Sequence, residues 1–144
     1  MADPRAAEPA LILRLATQDD LTQVVQLYRH LIPEEAPCNL NTAEASFTQL
    51  MQWHGSGIIV AEINGAIMAS CTLVVIPNLT RSGKPYALIE NVVTHADARR
   101  TGLGRQVLHF AAEQAWAAGC YKVMLLTGTD RPDNHAFYAA AGFE

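Results

Sequence analysis

Between residues 99 and 104 the chain reads Arg99-Arg100-Thr101-Gly102-Leu103-Gly104, after an apolar run of strand character and ahead of a long amphipathic pattern of helical period. Those residue types in that order build an anion site. The first turn of a helix leaves backbone N–H groups without partners and carries the positive end of the macrodipole, and glycines let a pyrophosphate approach those donors. Arg99 and Arg100 add charge beside it. Upstream, Glu90 and Asn91 interrupt the apolar stretch from Ala87 to Val93. Burying a carboxylate or an amide without a partner costs about 1 to 3 kcal/mol on protein mutational scales, so something must offset it. Downstream, Asn134-His135-Ala136-Phe137-Tyr138 puts an amide and a phenol one helical turn apart.

Other reactive side chains carry less. His30, His54, His95, His109 and His135 show no metal-ligand spacing and no cysteine lies near them in sequence, so no metal is expected. Cys38, Cys71 and Cys120 are odd in number and widely spaced, which fits reduced core residues better than disulfides. Arg81 and Lys84 could meet an acidic acceptor, and Glu34 and Glu35 an amine, although a solvated loop explains either pair. His135 reads as a helix-surface residue.

These residues need a frame to hold them. Leu11 to Leu15 reads as a strand, followed by Thr17 as an N-cap with Asp19 and Asp20 in the first turn. Leu21, Val24, Val25, Tyr28, Leu31 and Ile32 then recur at helical spacing until Pro33. A polar loop from Glu34 to Asn39 leads to a second helix capped by Asn41 or Thr42, with Ala43, Phe47, Leu50 and Met51 on its apolar face and Gly55 and Gly57 closing it. The β-rich runs Gly57 to Ile63 and Ala66 to Ile76 flank Asn64-Gly65, the pair that best tolerates a two-residue hairpin turn. After a loop from Pro77 to Pro85 come a strand from Tyr86 to Thr94 and a helix from about Gly102. The helix buries Leu103, Val107, Phe110, Ala111, Ala115 and Ala118 and stops before Gly119. A strand from Tyr121 to Leu126, a polar turn from Thr127 to Asp133 and a short helix from Asn134 to Ala141, stopped by Gly142, complete the pattern. The order β-α-α-β-β-β-α-β-α predicts an α/β fold of the α+β type, a mixed and mostly antiparallel sheet flanked by helices.

At 144 residues the chain suits one domain, expected over residues 11 to 144 behind a loose leader of residues 1 to 10 that lacks a signal-peptide core. Half of it is apolar, with no uninterrupted stretch of membrane-spanning length, and the cytoplasm is the default location. Ten basic residues against fourteen acidic ones leave a net charge of −4, which disfavours a general nucleic-acid partner.

With its elements in this order, the chain resembles the GNAT superfamily of N-acetyltransferases. Arg99-x-x-Gly102-x-Gly104 is similar to that family's acetyl-CoA signature, Ile89-Glu90-Asn91-Val92-Val93 to its fourth strand, and Asn134-His135-Ala136-Phe137-Tyr138 with Gly142-Phe143 to its final motif block. The resemblance implies that the coenzyme A pyrophosphate sits on the turn formed by Arg99, Arg100, Thr101, Gly102, Leu103, Gly104 and Arg105. It also implies a bulged fourth strand in which Asn91, Val92, Val93 and Thr94 hold the pantetheine arm, the N–H of Val92 or Val93 serving as oxyanion donor. Glu90 becomes the candidate general base, Tyr138 the acid for the departing thiolate and Asn134 a cofactor contact, although Phe137 follows Ala136 without the family's usual two-residue gap. The implied reaction moves an acetyl group from acetyl-CoA to a primary amine of a small molecule by direct transfer in a ternary complex.

Gly119-Cys120-Tyr121-Lys122-Val123 and Ile89-Glu90-Asn91 further resemble the glucosamine-6-phosphate N-acetyltransferases of that family. Two other readings compete: a module that holds coenzyme A without chemistry, and a nicotinamide-dinucleotide oxidoreductase. The second needs a third glycine where Val107 stands and an acidic residue ending the next strand, whereas Asp130 lies beyond the turn Thr127-Gly128-Thr129. Family members continue past Gly142-Phe143 into further strands, so the edge of the fifth strand is expected to be covered either by a missing segment or by a homodimer partner.

Overall fold

Asn64 and Gly65 both adopt positive φ, 51° and 86°, the pairing a tight two-residue hairpin requires. Around that turn β2 (Gly57–Ile63) and β3 (Ala66–Ile76) pair antiparallel, over the same residues that the alternation predicts. The computed structural model describes residues 10–125. Within them β1 (Leu11–Leu15) flanks β2, β4 (Tyr86–Thr94) flanks β3, and β5 (Val123–Leu125) lies beyond β4, giving a five-stranded sheet in the order β1-β2-β3-β4-β5. Only β4 and β5 run parallel, joined by α3 (Leu103–Ala117). Tyr121 and Lys122, predicted as strand, stand outside β5, and Leu126 lies outside the described residues.

Alternation divides the sheet's side chains between two cores. Ile59, Cys71, Leu73 and Ile89 face α3, which lays down a stripe of Leu103, Val107, Leu108, Ala111 and Ala115. Phe110 and Ala118 of the predicted stripe are only half-buried at its margin. Ile58, Val60, Ile67 and Val93 face the other way, against α1 (Leu21–Leu27) and α2 (Leu40–Met51). Each fully buried aliphatic side chain stabilises by about 1.5 to 3 kcal/mol, so both helical layers are held chiefly by the sheet. Cys71 and Cys120 are buried and free, and burial pushes the Cys71 thiol up to about 12, too high for a nucleophile. Cys38 is exposed and free rather than a core residue.

Helical periodicity before Pro33 resolves into three pieces instead of one helix: α1 lies between 3-10 turns at Gln18–Asp20 and Tyr28–His30. Thr17 and Asp20 form a capping box at the start of the first of these 3-10 turns, which runs on into α1. The Arg14 guanidinium reaches Asp20 at 2.7 and 2.9 Å and Glu62 at 3.0 Å, tying that cap to β1 and β2. The second helix starts earlier than expected. Asn39, not Asn41 or Thr42, is its cap, because the Asn39 side-chain oxygen accepts from the N–H groups of both. Met51 of its expected apolar face is exposed, and Phe47 is the buried anchor.

Candidate active site

Ser70 of β3 pairs with Val93 of β4, but Thr72 pairs with Glu90, so two steps along β3 answer three along β4. The extra residue makes a bulge, and Asn91 takes it up with φ 54°, a left-handed conformation that asparagine tolerates better than most residues. The apolar strand is interrupted here because the bulge turns Asn91 outward to solvent and leaves Glu90 half-buried. Antiparallel pairing also sorts the N–H groups. The His95 N–H donates to the Met68 carbonyl at 2.8 Å, so by alternation Val93 also points its N–H toward β3 while that of Val92 points away.

Beside the bulge is a cleft of about 250 Å³, lined by Leu31, Ile32, Ile89, Glu90, Asn91, Val92 and Leu125. Ile89 belongs to the α3 core, so Glu90 points to the opposite face, where the turn after α1 supplies Leu31 and Ile32. Thr72 is the cross-strand partner of Glu90, and burial raises the pKa of the Tyr28 phenol, at the end of α1, above its ordinary value. Such a phenol stays protonated at neutral pH.

Strand β4 leads through a 3-10 turn at Ala96–Ala98 into the glycine turn. Arg100 and Gly102 take φ of 66° and 83°, and Gly102 is the N-cap of α3. No atom lies within 4 Å of where a Gly102 Cβ would stand, so its glycine is needed for the backbone conformation and for access from outside. Among the described residues no backbone acceptor faces the N–H groups of residues 100 to 105, while Gln106 donates to Gly102 at 3.1 Å. This run of unpartnered donors at the head of a fifteen-residue helix fits a pyrophosphate. Gly104 is buried in the first turn, and Thr101 donates its hydroxyl to the Ala98 carbonyl at 2.6 Å, bracing the loop. Arg99 departs from expectation: its guanidinium donates to the carbonyls of His30 at 2.9 Å and Thr94 at 3.3 Å.

Glu90, Asn91, Val92, Val93, Thr94 and residues 99 to 105 thus lie along one continuous path from strand to helix. Tyr138, Asn134 and His135 lie outside the described residues. Arg81 is exposed with its guanidinium 5.4 Å from the Tyr121 ring centre, and Lys122 stands 5.4 and 5.5 Å from the rings of Tyr86 and Tyr121. Lys84, Glu34 and Glu35 are exposed. Sequence reasoning missed Leu31, Ile32 and Thr72, which meet Glu90 only through the tertiary fold. Among the described residues no group of His, Cys, Asp and Glu is placed to hold a metal, and no helix is long and apolar enough to cross a membrane.

Comparison with known proteins shows the family and the fold. A glucosamine 6-phosphate N-acetyltransferase of Trypanosoma brucei brucei is 30% identical over 92% of this chain and 88% of its own length. A provisionally named acetyltransferase structure from Agrobacterium tumefaciens str. C58 is 45% identical, covers 92% of both chains and superposes with a TM-score of 0.86. Another structure, described as a transcriptional regulator from Bacillus halodurans C-125, is 30% identical with a TM-score of 0.84 over 94% of this chain and 93% of its own. The profile of the acetyltransferase (GNAT) family matches residues 21–143, a span that includes the strand, the bulge and the glycine turn, and the chain belongs to that family.

Proposed function

We propose that this protein transfers the acetyl group of acetyl-CoA directly to the primary amine of a small molecule, both substrates being bound together. The observation that carries the reading is the bulge at Asn91, which puts a half-buried carboxylate, an outward N–H and a cleft at one point of β4. Acetyl-CoA supplies the activated acetyl group. The amides of residues 100 to 105 hold its pyrophosphate, with Arg100 and Arg105 adding charge, and Asn91 to Thr94 guide the pantetheine arm. Glu90 takes a proton from the acceptor ammonium, directly or through a water, and the freed amine lone pair attacks the thioester carbonyl carbon. The Val92 N–H, turned away from β3, donates to the carbonyl oxygen as negative charge develops there. As the C–S bond breaks, the Tyr138 phenol gives its proton to the sulfur and is restored by the second proton that the nitrogen sheds on becoming an amide, with Asn134 holding the cofactor nearby. Fixing both reactants in one cleft supplies much of the rate.

A phosphorylated amino sugar is the first acceptor to test, on the strength of the trypanosomal relative and of the exposed cations Arg81 and Lys84. We infer one catalytic domain from residue 11 onward, working in the cytoplasm, where the free thiols of Cys38, Cys71 and Cys120 would stay reduced. The deciding experiment is thiol release from acetyl-CoA across a panel of amines that includes glucosamine 6-phosphate. Saturable turnover with intersecting initial-velocity lines is expected. Parallel lines would replace direct transfer by an acetyl-enzyme route, and acetyl-CoA binding without turnover on any amine would leave a coenzyme A-holding module.

A further inference from the structure

The first residue of the glycine-turn motif is expected to put positive charge beside the phosphates, yet two of the Arg99 guanidinium donors are engaged elsewhere. Its Nη2 reaches the His30 carbonyl and its Nε the Thr94 carbonyl, at 2.9 and 3.3 Å. His30 closes the 3-10 turn after α1, where backbone carbonyls lack helical partners, and Thr94 ends β4. Further contacts reinforce the same junction. The Ala96 N–H donates to His30 Nδ1 at 3.3 Å, and the His30 and His95 rings pack at a tilt of 41° with centres 4.1 Å apart. Burial, with the neighbouring His95 and Arg99, lowers the His30 pKa, while Asp97 opposes the shift; Nδ1 therefore remains an acceptor at neutral pH.

What this junction holds is the acceptor side of the cleft. Leu31 and Ile32 follow His30 directly, and both donate their N–H groups to the Tyr28 carbonyl at 3.0 and 2.9 Å, so they move with the turn. They face Glu90 and Asn91 across the cleft. We propose that Arg99 is a positioning residue for the acceptor: by bridging the turn after α1 to the end of β4, it sets the distance between the Leu31 and Ile32 wall and Glu90, and it is not a phosphate ligand. A planar guanidinium can bridge two carbonyls in a fixed geometry; an ammonium cannot hold both in that way. The inference rests on the acetyl-transfer reading for its acceptor, but the clamp itself does not.

The test uses the full chain with Arg99→Lys and Arg99→Gln, measuring acetyl-CoA Kd, the KM for glucosamine 6-phosphate (or for the panel amine that turns over) and kcat. Both variants should raise the acceptor KM about tenfold or more while leaving acetyl-CoA Kd within about twofold, because a small misplacement is costly where reactants must be aligned. Lysine, which keeps the charge, should not rescue. A phosphate ligand behaves oppositely: glutamine weakens acetyl-CoA, lysine restores it, and the acceptor KM stays put. That pattern overturns the proposal, as does wild-type behaviour in both variants. Combining Arg99→Gln with Ile32→Ala adds a second readout, since two changes acting through one wall raise the acceptor KM by less than the product of their separate effects. A multiplicative result refutes the shared wall. If wild type turns over no amine, the functional reading fails separately, and amide hydrogen exchange at Leu31 and Ile32 still reads the clamp. Exchange there should quicken in Arg99→Gln, and unchanged protection would refute it.

Discussion

Glu90, Val92 and Gly104 are each asked to do something their residue type permits only in this setting. Glu90 sits half-buried beside Leu31 and Ile32, where the cleft leaves it within reach of an amine. Glu90→Gln keeps the size but removes the carboxylate proposed as the base. Turnover should fall by about 10² to 10⁴, with loss of the acidic limb of the kcat/KM pH profile, and a variant with the wild-type profile would move the base elsewhere. Gly104 lies buried in the first turn of α3, among the N–H groups without backbone acceptors. Gly104→Asp fills that turn with a like charge, so acetyl-CoA Kd should rise by about 100-fold, the scale of a lost charged contact of about 3 kcal/mol. Calorimetry that finds the affinity retained would dispose of the anion site.

At the scale of elements, the junctions carry more than the strands do. The Arg14, Asp20 and Glu62 cluster fastens the start of α1 to β1 and β2, and the hydrogen bonds from Arg14, ahead of those from Thr17, hold the Asp20 carboxyl at about 2. Its unfolded value is about 3.9, so the folded state binds its proton less readily. That stabilisation is complete above about pH 4 and is lost as pH falls through the folded value. Asp20→Asn should therefore destabilise the wild-type fold by about 1 to 3 kcal/mol near neutrality and by progressively less below pH 4, measured by denaturant unfolding. An equal deficit at every pH would mean that the carboxylate's charge contributes nothing. Helix α2 shows how small a signal can move an element boundary: Asn39, Asn41 and Thr42 are all competent caps, and the sequence does not rank them.

For the molecule as a whole, the two ligand classes that a glycine turn invites make opposite demands. Acetyl-CoA at about 100 times its Kd should stabilise the fold by about 2.7 kcal/mol, visible as a higher Tm, whereas NADH should leave the melt unchanged. The reverse outcome would revive the dinucleotide reading despite Val107, on the parallel β4-α3-β5 unit that either reading can use. Much of the architecture was legible beforehand: β2, β3 and β4 occupy the predicted residues, because alternation and Asn64-Gly65 are local signals. The bulge was legible as a polar pair in an apolar strand, and its meaning came from the family likeness. The cleft's other wall was not legible, since Leu31 and Ile32 read as ordinary core residues of a helix.

The sequence alone determined what short-range chemistry can encode: strand alternation, the hairpin turn, the glycine turn at a helix start and a carboxylate at the strand's irregular point. Each depends on residues a few positions apart, whose conformational preferences act within one turn or one pleat. Only the tertiary structure decided where the Arg99 guanidinium goes and what faces Glu90. Arg99 and His30 are 69 positions apart, and nothing in the local preference of either specifies a hydrogen bond between them. That bond exists because two cores, packed on opposite faces of one sheet, bring the end of α1 and the end of β4 to the same place.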